Sequence, residues 1–289
     1  MSAAAYGADY FRKSCGRPYK RDEHWLGFFA KVADHIVEEI RPTTVLDAGC
    51  AMGFLVEALR DRGVEAWGVD ISKYAISKVR PDIREYCRVA SVTDPLERVY
   101  DLIVCIEVLE HLPAADGALA IDNFCAHARE VLFSSTPEDV TETTHVNVQP
   151  TSYWASAFAQ RGFLREVDFD ASDYLNTWAL RLRKAEEPLV DVVSDYERLI
   201  WQLKKERRQL QEREQQLAAQ NQRRDAELAE KDAQMGSLRH RVAQLEEALQ
   251  AIESSRSYQL ARGIRDAARK IAPEGSGRDR LLRSVGRGK

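Results

Sequence analysis

The chain has 289 residues, 44% of them apolar and 30% charged, with a formal net charge of −4. That is enough for one well-buried domain plus an extension, and it lacks the cationic surplus that holding a nucleic acid backbone requires, so nucleic acid is not an expected partner. No apolar run reaches the eighteen residues of a membrane-spanning helix, and the start, Met1-Ser2-Ala3-Ala4-Ala5-Tyr6, has neither the charged nor the apolar region of an export signal. Five cysteines (15, 50, 87, 105, 125) without C-x-x-C spacing read as reduced core residues. A cytoplasmic protein is expected.

Residues 1–40 form an aromatic and basic segment, with Tyr6, Tyr10, Phe11, Arg12, Arg17, Pro18, Tyr19 and Trp25. It is expected to be a helical lid whose aromatic faces stack on a sugar ring or base and whose arginines hold phosphate. An α/β domain is expected over 41–186. It opens with an apolar strand, Thr44 to Ala48, a small-residue turn, Gly49-Cys50-Ala51-Met52-Gly53, and a helical stretch from Phe54 to Arg62. Ala66 to Asp70 follows as the next parallel strand, with an acid at its end positioned to accept from a ribose diol. Glycine at 49 and 53 would let backbone approach a ligand closely. A dinucleotide turn wants G-x-G-x-x-G to seat pyrophosphate on a helix N-terminus; here the glycines are spaced G-x-x-x-G. Cys50, with no base at hand, reads as a small apolar filler.

Ala90 to Asp94 comes next, then Tyr100 to Ile106, apolar throughout as a central parallel strand should be. Its polar end carries Glu107, Glu110 and His111. Val131 to Pro137 is expected as the fifth strand, and Phe163 to Phe169 with Thr177 to Leu182 as a closing antiparallel pair.

Asp47-x-Gly49-Cys50-x-x-Gly53, followed by Asp70, Asp94 and the run Glu107-Val108-Leu109-Glu110-His111-Leu112, resembles the motif series of class I S-adenosylmethionine (SAM) methyltransferases over residues 25 to 184. The resemblance implies an α/β, Rossmann-like fold with a seven-stranded, mostly parallel sheet and SAM as cofactor. It implies cofactor contacts from Asp47, Gly49, Cys50, Ala51, Gly53, Asp70, Ile71, Asp94 and Glu107. Ala51 departs from it, since many members carry glycine there. Methyl transfer to a hydroxyl needs alignment and a proton acceptor, for which His111, His145 and Glu107 are the candidates. Glu107-x-x-Glu110-His111 with His145 is similar to the metal-binding set of small-RNA 3′-terminal 2′-O-methyltransferases, and its first part recurs in ubiquinone-biosynthesis O-methyltransferases. The run is widespread in the superfamily without metal, so a divalent ion is not expected. The resemblance leaves three readings: O-methylation of a sugar or sugar-linked acceptor, metal-assisted methylation of a small molecule or RNA, and an inactive scaffold.

Residues 190–255 are rich in Glu, Gln, Arg, Leu and Ala without proline. Ile200, Leu228, Met235, Val242 and Leu249 share one heptad phase (a), and Leu203, Leu210, Leu217, Leu238, Leu245 and Ile252 the phase three residues on (d), the pattern of a coiled coil. Arg207, Glu214 and Asn221 interrupt a, while Arg224 and Lys231 interrupt d. A buried Asn at a commonly favours two strands in register, so a parallel homodimer is expected. Residues 256–289 carry ten Lys or Arg against three acids, and Tyr258, Ala261, Ile264, Ala268 and Ile271 recur at helical spacing. A basic amphipathic or disordered tail is expected, addressed to an anionic membrane surface or to a glycan-assembly protein. Ser257-Tyr258-Gln259-Leu260-Ala261-Arg262 resembles tails that follow coiled coils in bacterial surface-polysaccharide glycosyltransferases and methyltransferases.

Overall fold

The computed structural model describes residues 5–186, 188–271 and 277–278. They fall into two compact units, residues 1–202 and 203–289.

In the first unit, α1 (Ala8–Lys13) and α2 (Glu23–His35) precede β1 (Thr44–Ala48), α3 (Phe54–Arg60) and β2 (Glu65–Asp70). Then come α4 (Lys73–Ser77), β3 (Cys87–Val89), β4 (Tyr100–Ile106), α5 (Ala114–His127), β5 (Ala128–Ser134), α6 (Thr151–Ala159), β6 (Phe163–Arg165) and β7 (Leu180–Lys184). The strands form one seven-stranded sheet in the order β3-β2-β1-β4-β5-β7-β6. The first five are parallel, and β7 runs antiparallel to β5 and β6.

Alternation along the strands builds two cores. Val45, Leu102, Val104 and Leu132 pack beneath α2 and α3, while Leu46, Ile103, Cys105, Val131 and Phe133 face α5 and α6, as the period of two requires. Strand order reverses between β1 and β4, so the loops at their C-terminal ends splay apart and leave a crevice.

The strand boundaries differ from expectation near the end of the domain. β5 begins at Ala128 and ends at Ser134, β6 stops at Arg165, and β7 starts only at Leu180. Between the last two, the chain leaves the ladder, burying Phe169, Ala171 and Tyr174 against the α2 face of the core. Apolar residues there are loop anchors rather than strand.

Gly68 in β2 has a steric reason. A Cβ there would lie 2.6 Å from Cys50 Sγ and 2.7 Å from Cys50 Cβ, so the buried thiol of the turn occupies the space that the glycine leaves. The filler role expected for Cys50 fits this packing.

α7 (Leu189–Ser254) is one continuous helix of 66 residues, followed by α8 (Arg256–Ile271). Leu203, Leu210, Leu217, Leu228, Met235, Leu238, Val242, Leu245, Leu249 and Ile252 are all exposed, from 47% (Met235) to 64% (Leu210 and Leu238). No helix among the described residues is long and apolar enough to cross a membrane. The tail's remaining cationic residues, apart from Arg278, and the side chain of Ala268 lie outside the described residues.

Gly68→Ala should cost about 1–3 kcal/mol, the usual penalty of overpacking a tight interior. Denaturant unfolding will show this, and Cys50→Gly in the same chain, which removes both the thiol and the Cβ, should recover part of the loss.

Candidate functional site

The crevice beyond β1, β2 and β4 is a cavity of about 570 Å³, within the range of small-molecule and cofactor sites. Its floor is the turn after β1. Gly49 N–H and Cys50 N–H both donate to the Val69 carbonyl (2.8 and 3.0 Å), tying the turn to β2. Ala51 N–H donates to Asp70 Oδ2 (2.8 Å), and Ser72 N–H to Asp70 Oδ1 (2.7 Å). Each Asp70 oxygen thus has one amide donor and retains a lone pair for a ligand hydroxyl.

The turn runs through left-handed backbone at Gly49 (φ 97°), Ala51 (φ 47°) and Gly53 (φ 73°). A Cβ at Gly49 would come 2.3 Å from Val108 Cγ2. The glycine is therefore dictated by its backbone angle and by Val108 folding over the turn from the loop after β4. Gly53, expected among the cofactor contacts, does not line the cavity; it sits at the N-cap of α3, where a Cβ would crowd Cys87 and Val79.

Asp94 is the second correction. It is exposed, and its carboxylate accepts from Ser91 N–H (2.8 Å), closing a tight turn. Ser91, Val92 and Thr93 line the cavity in its place. Asp47, Gly49, Cys50, Ala51, Asp70, Ile71, Glu107, Glu110, His111 and His145 all line it.

The electrostatics are one-sided. Asp47, Asp70, Glu107, Glu110, Asp116 and Asp139 border the cavity, and among the described residues no lysine or arginine does. Burial, with Asp70 nearby, pushes the Asp47 carboxyl up to about 8. Burial also raises Asp70, against the pull of its two amide donors. Glu110 is fully buried and neither of its oxygens has a hydrogen-bond partner; burial and the charge of Glu107 hold it well above the usual carboxylate range.

Glu107 is committed elsewhere. Its Oε1 accepts from Ser134 Oγ (2.7 Å), Trp178 Nε1 (3.0 Å) and Asn176 Nδ2 (3.4 Å), and its backbone is left-handed (φ 53°). Through that oxygen it pins the loop before β7 to the end of β4. Asn176 and Trp178 were not anticipated as cavity residues, because the sequence places them at the start of a strand.

His111 and His145 come together as expected, with ring centroids 4.6 Å apart. Thr144 Oγ1 donates to Glu142 Oε1 (3.2 Å), so it accepts from His111 Nδ1 (2.9 Å). That leaves His111 Nε2 with its lone pair, facing the Tyr10 hydroxyl at 3.3 Å. Likewise His145 Nδ1 donates to the Asp139 carbonyl (2.7 Å), which turns its Nε2 to the other side of the ring. Burial and His145 push the His111 imidazole down to about 4, so it is neutral at physiological pH rather than half-ionised. Glu110, His111 and His145 offer ligand atoms within 4.8 Å of one another. A buried carboxylate and two imidazoles form a donor set that suits a divalent cation; Glu107 is not part of it.

The N-terminal segment closes the far side, where Tyr6, Tyr10, Phe11, Tyr19 and Trp25 line the cavity. Ser72 Oγ donates to the Tyr6 carbonyl (2.5 Å), and Tyr19 stacks on Phe54 with centroids 5.2 Å apart. The expected phosphate clamp does not form: Arg12 pairs with Asp9, and exposed Arg17 does not line the cavity.

A family model described as a methyltransferase domain matches residues 20–169, more than half of the chain. The ubiquinone biosynthesis O-methyltransferase of Nitrosomonas europaea is 31% identical over 88 residues, 28% of this chain and 37% of that protein. That of Idiomarina loihiensis is 33% identical over 111 residues, 36% of this chain and 43% of that protein. The chain thus spans less than half the length of these two relatives. Among solved structures, magnesium protoporphyrin IX methyltransferase from Synechocystis PCC 6803 with bound SAH is 17% identical, with a TM-score of 0.49 over 61% of this chain and 97% of that one. On the match to residues 20–169, the chain belongs to the methyltransferase-domain family.

Proposed function

We propose that the protein transfers the methyl group of SAM to a hydroxyl of a sugar or sugar-linked acceptor, in the assembly of a bacterial surface glycan. The observation that carries the cofactor is the cavity's charge. Six acids and no described cation border it, which repels a pyrophosphate and attracts a sulfonium and an ammonium. Asp70 supplies acceptors for a ribose diol, and Ala90 to Thr93 wall the neighbouring space. The lid's aromatic faces suit a sugar ring. Because no described lysine or arginine lines the cavity, the acceptor's reacting end carries no phosphate.

When bound, SAM supplies an activated methyl carbon. Transfer to an acceptor oxygen would form one oxygen–carbon bond for the carbon–sulfur bond broken, with S-adenosylhomocysteine as the leaving product. The oxygen becomes strongly acidic as the methyl arrives, so a weak base suffices late in the step. His111 Nε2 takes that proton, its tautomer fixed through Thr144 and Glu142. The lid and the Val108 loop exclude water.

A second reading is favoured by the orphaned Glu110 carboxylate beside His111 and His145. A divalent ion held there would lower the acceptor hydroxyl's pKa, placing a small-molecule or RNA 2′-hydroxyl among the substrates. For cellular setting, the exposed apolar residues Leu260, Ile264 and Ile271 of α8 alternate with Arg262, Arg265, Arg269 and Lys270. That pattern supports a cytoplasmic protein lying peripherally at an anionic membrane face.

Asp70→Ala should weaken SAM binding at least about a hundredfold while the thermal transition persists; calorimetric titration measures this, and unchanged affinity would remove the ribose assignment. A cationic ligand also expels the proton from Asp47. At pH 7 the free carboxyl is protonated, so SAM binding should release close to one proton and tighten by up to about tenfold per pH unit towards 8. Calorimetry in buffers of different ionisation enthalpy reads that proton directly. His111→Gln should lower methyl transfer by about 10²–10⁴-fold and leave SAM affinity within about threefold. Loss of activity after EDTA, restored by Mg²⁺ or Mn²⁺, would instead assign His111 to the metal-assisted reading.

A further inference from the structure

The long helix α7 exposes an apolar stripe that no described residue covers. Leu203, Leu210, Leu217, Leu228, Met235, Leu238, Val242 and Leu245 are each close to half exposed or more, on a helix that runs unbroken through Gly236. A Cβ at Gly236 would meet open space, and its heptad position faces away from the stripe, so the glycine does not interrupt the seam. A helix this long with an apolar stripe along it is stabilised by packing against another element.

The polar residues inside the seam select the partner and its direction. A parallel, in-register pair, the arrangement expected from Asn221 alone, sets each a residue against its own copy, and likewise each d residue. Arg207 then meets Arg207, Glu214 meets Glu214, Arg224 meets Arg224 and Lys231 meets Lys231. Four like-charged layers result, each in the desolvated centre of the interface, where such juxtaposition is costly.

Running the second copy in the opposite direction pairs each a residue with a d residue. In one register, Glu214 faces Lys231 and Asn221 faces Arg224, while Leu228 faces Leu217, Met235 faces Leu210 and Val242 faces Leu203. Arg207 faces Leu238, over which its long stem packs while its charge reaches solvent. Each layer occurs twice because the pairing is two-fold symmetric. The flanking positions are mixed, with Glu206 near Arg241 but Lys204 near Arg239, so the seam decides.

We propose that α7 is the interface of an antiparallel homodimer in which Glu214 of each copy pairs with Lys231 of the other. The partner is a second copy of this chain, since the charge pattern of one helix is complementary to itself when reversed. The proposal is independent of the catalytic reading.

Charge reversal in the full-length protein tests it by sedimentation. Glu214→Lys alone and Lys231→Glu alone should each weaken dimerisation at least about tenfold, and the double reversal should return it to within about threefold of the parent. In a parallel dimer, Glu214→Lys exchanges one like-charged layer for another, so an unchanged single variant overturns the proposal. A monomeric parent protein at micromolar concentration also overturns it. Disulfide capture is the second measurement: Leu203→Cys together with Val242→Cys should give a covalent dimer on oxidation, and Leu203→Cys alone should not. Efficient capture by the single variant would establish the parallel arrangement instead.

Discussion

Everything in the catalytic unit is arranged around carboxylates that the fold removes from water without supplying a cation. Asp47 is buried towards the end of β1, Asp70 half-buried at the end of β2, and Glu110 buried just past β4, so the same strand-end geometry that opens the crevice collects their carboxyl groups in it. The free protein answers this locally. Two amides pull Asp70 towards its ionised form against its burial, whereas burial raises Asp47 and Glu110 towards protonation. A positively charged ligand does what these protons do and keeps the carboxylates ionised. Binding energy is thereby directed at a cation.

The same constraint explains why the lid is aromatic. An arginine over this cavity would pair with the nearest acid and fill the space meant for the ligand. Tyr6, Tyr10 and Tyr19 add polar tips without positive charge, and burial keeps all three hydroxyls protonated. Tyr10 joins the lid to the loop after β4 through His111 Nε2. On the proposed reading, an acceptor hydroxyl that takes over this long contact would place its proton on the nitrogen whose tautomer Thr144 fixes. The low proton affinity of His111 would then matter less than its orientation, because the incoming methyl carbon would acidify the acceptor oxygen.

The sheet and its cofactor turn were legible in the sequence because period-two apolar runs and the glycine spacing are local signals. Asp47, Asp70 and the Glu107–His111 run were readable for the same reason, since each ends a strand. What was not legible depended on distant neighbours. Gly49 answers to Val108, Gly68 to Cys50, and Glu107 to Trp178 across 71 residues of chain. Asp94 was expected among the cofactor contacts, but its carboxylate accepts from Ser91 N–H three residues earlier and closes its own turn. The expected strands 163–169 and 177–182 are each cut short, because Glu107 holds Asn176 and Trp178 outside the ladder.

In α7 the polar residues interrupt the apolar stripe in one block, from Arg207 to Lys231, with leucine-rich heptads on either side. Such a block lowers the stability of the coil, and what it gains is register. Antiparallel pairing sets the block on itself, so Glu214 and Asn221 meet Lys231 and Arg224 while the apolar flanks meet each other. A slip of one heptad in one direction brings Arg207 against Lys231. A slip in the other direction leaves Glu214 facing Leu238, a carboxylate opposed by no cation. Both slips retain most of the apolar contact, so leucines alone could not distinguish the three registers; the charges can, because the first slip also gives Glu214 a base, Arg224, but only the proposed alignment does so without setting two cations against each other.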